Sequence, residues 1–147
     1  KKRATPPTPK LLDGAAEALE FYERAFGAQV TLRLTMGELV AHSEVRIGDS
    51  MVYVNDPLPE FGLVAHDGEP RWSTSLLIYC DDPDTLHARA LAAGATQITP
   101  VGDQFHGDRA GSLRDPFGHR WMLATHTEDM SEEEMQRRTE EAMAGSK

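Results

Sequence analysis

The stretch that decides the fold is residues 107–126, GDRAGSLRDPFGHRWMLATH. Its middle, Asp115-Pro116-Phe117-Gly118, is a turn: proline presets φ at one corner and glycine accepts left-handed backbone. The polar loop 102–110 precedes it. Residues 111–114 and 119–125 read as strands on either side of the turn. Alternation puts Trp121 and Leu123 on one face of the last strand, and Arg120, Met122 and Ala124 on the other. Upstream, residues 42–56, HSEVRIGDSMVYVND, repeat the device. A strand over 40–47 reaches the tight turn Gly48-Asp49, and Ser50–Val54 returns.

Working outward, each hairpin follows a helix and a strand. Apolar positions 15, 18, 19, 22 and 26 keep the helical period, with Asp13 placed to cap the start and Gly27 to end it. Asp81-Asp82-Pro83-Asp84 opens a second helix, which runs to Ala93 and closes on Gly94. Strands are expected over 29–36, 73–80 and 95–101. The helix-ending glycines are 67 residues apart and the hairpin glycines Gly48 and Gly118 are 70 apart, so the chain reads as an internal duplication of β-α-β-β-β order.

The expected organisation is a flexible basic arm over 1–8 and a domain over 9–126. Module one spans 9–56 and module two 73–126, with a Gly- and Pro-rich loop over 55–72. An acidic helical tail covers 127–147. Ser131-Glu132-Glu133-Glu134 is its capping box, and Met130, Met135, Ala142 and Met143 form a thin apolar stripe. The tail reads as a solvated helix, a lid over a site or a clasp on a partner subunit. The fold class is α+β.

The 147 residues amount to about one domain, with 39% hydrophobic residues to build a core. The formal net charge of −9 removes any general attraction to nucleic acid or anionic lipid. The single cysteine, Cys80, allows neither an intrachain disulfide nor a multi-cysteine zinc site, and it reads as a small buried hydrophobe. A lone thiol and the lack of an apolar leader or spanning stretch point to the cytoplasm. No nucleophile elbow, phosphate loop or Cys/His pair is present.

The segments 13–29, 42–56 and 107–126 together resemble the glyoxalase/bleomycin-resistance/extradiol-dioxygenase superfamily, the vicinal oxygen chelate fold. The chain is most similar to its small bacterial glyoxalase-like branch. The resemblance covers roughly residues 8–126. It implies two βαβββ modules whose sheets curl into a concave cleft, helices outside, and a homodimer. Enzymes of the superfamily hold a divalent ion with His, Glu or Gln from the first and last strand of each module. Carried over, those positions fall at about Pro7, Val52, Ser75 and Met122. A slip of one gives Thr8, Met51 or Tyr53, Thr74 or Leu76, and Trp121 or Leu123. None is a usual ligand, so no metal and no cofactor is expected.

The same alignment predicts what faces the cleft. Ser50, Val52, Val54, Arg120, Met122 and Ala124 point in, as do Ser75, Leu77 and Tyr79. Met51, Tyr53, Trp121, Leu123, Leu76, Ile78 and Cys80 pack on the other side. His42, Glu44 and Arg46 lie on the concave face. His42 and Glu44 share a strand face, so they could serve one ion, one ligand or one proton transfer, or Glu44 could form an edge ion pair with Arg46 or Arg120. In the loop 103–109, Phe105 can stack, His106 is polar, and Arg109 can hold a carboxylate bidentately or pair internally with Asp108. Arg109 and His42 are expected to border one pocket. His66, His87 and His119 read as plain surface; His126 ends the last strand, inside the cleft or beyond it. The favoured function is a metal-free binder of a flat or amphipathic small molecule, in the manner of antibiotic-sequestering members. The alternatives are a metal-dependent lyase, isomerase or dioxygenase, and a metal-free enzyme using His42 and Glu44 as an acid–base pair.

Overall fold

The computed structural model describes residues 14–145. The order is α1 (Ala15–Phe26), β1 (Gln29–Met36), β2 (Leu39–Ile47), β3 (Ser50–Tyr53), a 3-10 turn, β4 (Leu76–Tyr79), α2 (Pro83–Ala93), β5 (Thr96–Asp103), β6 (Asp108–Arg114), β7 (Arg120–His126) and α3 (Glu132–Gly145). The strands form two sheets, β1-β2-β3 and β4-β7-β6-β5. In the second sheet β4 pairs parallel with β7, and the other neighbours are antiparallel. Module two is thus a complete β-α-β-β-β unit of an α+β fold. Residues 1–8 and the module-one position near Pro7 lie outside the described residues.

One core serves both modules. The apolar stripe of α1 buries Leu19, Phe21, Tyr22, Ala25 and Phe26 against Val45 and Ile47 of the first sheet and Leu113, Trp121 and Leu123 of the second. The Phe26 ring lies 4.9 Å from Trp121, and Tyr22 lies 5.4 Å from it. Gly27 ends α1 in left-handed backbone, as the sequence predicts. The first residue before α1 is Gly14, which carries no capping side chain; Asp13 is outside the described residues. Among the described residues Asp56 supplies a carboxylate there, accepting from Ala15 N–H at 2.9 Å and from Val40 N–H at 2.7 Å.

Asp115 explains the Asp-Pro-Phe-Gly turn. It is buried, and its Oδ1 accepts the backbone N–H groups of Phe117 and His119. Its Oδ2 accepts Tyr22 O–H at 2.6 Å and Trp121 Nε1–H at 2.8 Å. The turn is therefore pinned to α1. Burial, then the neighbouring Asp115 charge, pushes the Tyr22 phenol well above its ordinary pKa.

Some boundaries move. The loop expected over 102–110 shrinks to 104–107, because β5 and β6 continue to Asp103 and Asp108. Gln104 N–H donates to Asp108 O, and Gly107 turns at φ 95°. β4 starts at Leu76 rather than Ser73. His87 is buried, its Nε2 3.1 Å from Gln97 Oε1, and so is not the surface histidine expected. Among the described residues no helix is long and apolar enough to cross a membrane.

Candidate functional site

Strand pairing fixes the faces, because directly opposed residues share one. In the first sheet Val45 opposes Val52 and Ile47 opposes Ser50, so these face α1. The concave face carries His42, Glu44 and Arg46 on β2, with Met51 opposite Arg46 and Tyr53 opposite Glu44. Leu32 opposes Glu44, Leu34 opposes His42 and Met36 opposes Leu39, which extends that face onto β1. Two corrections follow. Val52 packs against the core rather than facing the cleft, and Met51 and Tyr53 are exposed rather than core. His42 Nε2 lies 3.4 Å from Glu44 Oε1, and the His42 ring meets Tyr53 edge-on at 4.8 Å.

In the second sheet the alternation holds. Leu77 opposes Met122 and Tyr79 opposes Ala124 on the concave face, while Ile78 opposes Leu123 towards the core. Arg120 donates to Ser75 Oγ at 2.8 Å. The same face carries Ser112 opposite Met122 and Asp108 opposite His126. Tyr79 O–H donates to Asp108 Oδ2 at 2.9 Å, and His126 Nδ1 lies 3.1 Å from Asp108 Oδ1. Nothing in the spacing of Tyr79, Asp108 and His126 marks them as a group; the register of three strands assembles them. The hydrogen bond to Asp108, then burial, raises the Tyr79 phenol above its ordinary pKa. Burial pushes the Asp108 carboxyl up, but the His126 and Tyr79 hydrogen bonds outweigh it and hold it below the usual range.

Arg109 goes elsewhere. It opposes Thr125, on the face covered by α2, and its guanidinium takes Asp84 bidentately, with both bonds at 2.8 Å. Asp103 adds a third bond at 3.2 Å. Both the pocket shared with His42 and the internal Asp108–Arg109 pair give way to this helix-side contact. Phe105 is partly exposed at the 104–107 turn, 5.4 Å ring to ring from His106. Among the described residues no hydrogen bond or ring contact joins the His42–Glu44–Tyr53 set to the Tyr79–Asp108–His126 set.

A cavity of about 700 Å³ lies at the seam between the modules and reaches Tyr53 at the edge of the first sheet. Ala18 and Tyr22 of α1, Val52, Leu63, Leu76 and Phe117 line it. A second, about 800 Å³, borders Trp72, His119 and Arg120. Of the site residues expected from sequence, these cavities include only Val52 and Arg120.

The divalent ion implied by the resemblance has no matching donors. At and beside the aligned last-strand positions the concave residues are Met51 and Tyr53 in module one, and Met122 and Ala124 in module two; His126 lies four residues beyond Met122, at the end of β7. Ser75 and Leu77 stand at the first-strand position of module two. Imidazole and carboxylate, the donors such an ion needs, are missing from these aligned positions. Among the described residues no group of three or more His, Cys, Asp or Glu is arranged to hold a metal.

Residues 12–123 match the profile of the Glyoxalase/Bleomycin resistance protein/Dioxygenase superfamily, and the chain belongs to that superfamily. An uncharacterized protein of Mycobacterium bovis is 36% identical over 131 residues, covering 86% of each chain. Among solved structures, TioX from Micromonospora sp. ML1 aligns with a TM-score of 0.61 at 22% identity, over 87% of this chain and 100% of that one. A glyoxalase-related enzyme from Fulvimarina pelagi gives a TM-score of 0.61 at 22% identity, over 79% and 84%. At that identity the two structures speak for the fold alone.

Proposed function

We propose that the protein is a metal-free binder of a flat, partly apolar small molecule, held on the concave sheet faces and enclosed by a second copy of the chain in the cytoplasm. One observation carries the reading. Leu32, Leu34, Met36, Leu39, Met51 and Tyr53 are all exposed on a single face of the first sheet, beside the polar pair His42 and Glu44. An apolar patch with a few polar groups at its side is the usual chemistry of a ligand or partner surface. Tyr53 and His42 offer ring faces for stacking, and Glu44 offers a hydrogen-bond acceptor. Leu77, Met122 and Tyr79 give the second sheet a matching wall. The donor types at the superfamily's ligand positions favour a binder over a metal-dependent lyase, isomerase or dioxygenase. The His42–Glu44 contact at 3.4 Å favours one second reading, metal-free acid–base catalysis.

The test is a thermal-shift screen of flat aromatic compounds, with and without nickel, zinc, manganese and iron. A ligand at a hundredfold excess over its Kd adds about 2.7 kcal/mol, an easily measured shift. Metals alone are expected to add nothing, and Tyr53→Ala is expected to abolish the ligand shift without lowering the Tm of the free protein. Stoichiometric metal whose removal abolishes ligand binding sinks the reading. Turnover of a hit compound that His42→Ala abolishes moves the assignment to acid–base catalysis.

A further inference from the structure

His126 ends β7 on the concave face of the second sheet, and both of its ring nitrogens meet a carboxylate. Nδ1 lies 3.1 Å from Asp108 Oδ1, and Nε2 lies 2.6 Å from Asp129 Oδ1. A carboxylate only accepts, and a neutral imidazole has one N–H and one lone pair. A neutral ring would therefore turn a lone pair towards one of the two oxygens. Only the imidazolium, with two N–H donors, satisfies both.

The two carboxylates belong to different parts of the molecule. Asp108 is in the cleft wall, with a side chain 12% exposed, and its other oxygen holds Tyr79 O–H. Asp129 is in the linker to the acidic tail and is fully exposed. The linker lies on the 104–107 turn: Thr127 N–H and Glu128 N–H both donate to Gly107 O. Gly107 leaves room for this, since a Cβ there would stand 2.5 Å from Glu128 O and 3.1 Å from Met130 Cε. Beyond Asp129, Arg138 of α3 reaches back to Glu128 at 3.0 Å, to Glu134 at 2.9 Å and to Phe105 O at 3.3 Å.

We propose that His126 is a proton-operated latch: as an imidazolium it ties the Tyr79–Asp108 wall of the cleft to the tail through Asp129, and loss of its proton releases Asp129 and loosens the tail from the cleft rim. The buried, doubly engaged Asp108 keeps its bond, and the exposed Asp129 is the partner that leaves. The ring meets Asp108 of β6 and Asp129 of the linker; Tyr79 of β4 and His106 of the turn act on Asp108, and Glu128, Glu134 and Arg138 form the adjoining ion-pair cluster of the linker and α3. The hydrogen bonds that His126 donates to Asp129 and then to Asp108 raise its pKa above the ordinary value. The sign follows. A raised histidine contributes stability that is full below the unfolded pKa of about 6.5 and is lost as pH rises through the folded value. The tail is thus held in mild acid and loosened in mild base.

What the latch regulates rests on the reading of the concave face as a ligand cleft; the latch itself is tested without ligand, so the two can fail separately. The experiment is NMR of the full chain from pH 5.5 to 8.5, following the His126 ring and the backbone heteronuclear NOE of residues 129–139. The His126 midpoint is expected above 6.5, with the tail NOE falling through that same midpoint while β6 and β7 stay rigid. In Asp129→Asn the midpoint falls, and the tail NOE is low and flat with pH. In His106→Gln the tail response persists. A tail NOE that is flat across the wild-type midpoint, a midpoint unmoved in Asp129→Asn, or a response lost in His106→Gln overturns the latch.

Discussion

Tyr53 in the β2–β3 hairpin is 65% exposed on the concave face, whereas Trp121 in the β6–β7 hairpin is 2% exposed beneath α1. Both aromatics sit in the returning strand of a hairpin. The difference begins at the turns. Between β2 and β3 the turn has two residues, so Ile47 and Ser50 oppose each other, and Ile47 fixes that pair on the helix side. Between β6 and β7 five residues intervene, and the flanking pair is Arg114 with Arg120, on the concave side. A face is therefore inherited from the pair that flanks the turn, and a fixed count from the turn glycine lands on opposite faces in the two hairpins. The second hairpin also has Asp115 to hold its aromatic by a hydrogen bond, whereas the carboxylate at the first turn, Asp49, accepts from Ser50 Oγ at 3.4 Å.

Mutations can break or sharpen this contrast. Trp121→Ala is expected to cost about 3–5 kcal/mol in denaturant unfolding, the range for a buried aromatic. An equal loss in Tyr53→Ala would erase the distinction. Asp115→Ala strands the Tyr22 hydroxyl and Trp121 indole donors, and is expected to cost about 2–4 kcal/mol by the same measurement, since each buried orphan is worth roughly 1–3. Asp56→Ala removes the cap of α1 and is expected to cost about 1–2 kcal/mol, with lost helical signal in circular dichroism. Met122→Ala, on the open face opposite Trp121, is expected to cost less than Trp121→Ala and to weaken a bound aromatic ligand; the reverse order would refute the register. The smallest effect concerns Asp84. The hydrogen bonds from Arg109 hold its carboxyl below the ordinary range. Its contribution is present above the unfolded pKa and fades as pH falls through the depressed value. Asp84→Asn should therefore change the Tm by little at pH 7, and that difference should shrink as pH falls through the depressed value.

Much of this was legible beforehand. Periodicity located α1 and α2, and the Gly27 and Gly94 stops stand where read. Alternation placed Trp121, Leu123, Leu77 and Tyr79 correctly, because the last hairpin and β4 share one register. Val52 departs from the expected face for a reason the sequence holds: a two-residue turn forces Ser50 and Val52 onto the face of Ile47 and Val45. Arg109 was misplaced for a different reason. Reading 102–110 as loop hid its position on β6, where alternation turns it towards the first turn of α2 and Asp84. Tyr79 and His126, which meet through Asp108, are 47 residues apart on separate strands, and no local pattern announces a contact that only sheet pairing creates. Asp56 likewise gave no sign of its role, being separated from α1 by a whole sheet.

That last separation bears on how the chain acquires its shape on the ribosome. The carboxylate that caps α1 is synthesised 41 residues after the amide it serves. A 12-residue helix is marginal in water by itself. Until Asp56 emerges, the Ala15 amide lacks this partner. The same carboxylate holds Val40 at the start of β2, so one side chain fastens the helix and the returning hairpin in a single closure. Folding of module one should then be all-or-none rather than helix-first, with its rate set by closing that long loop.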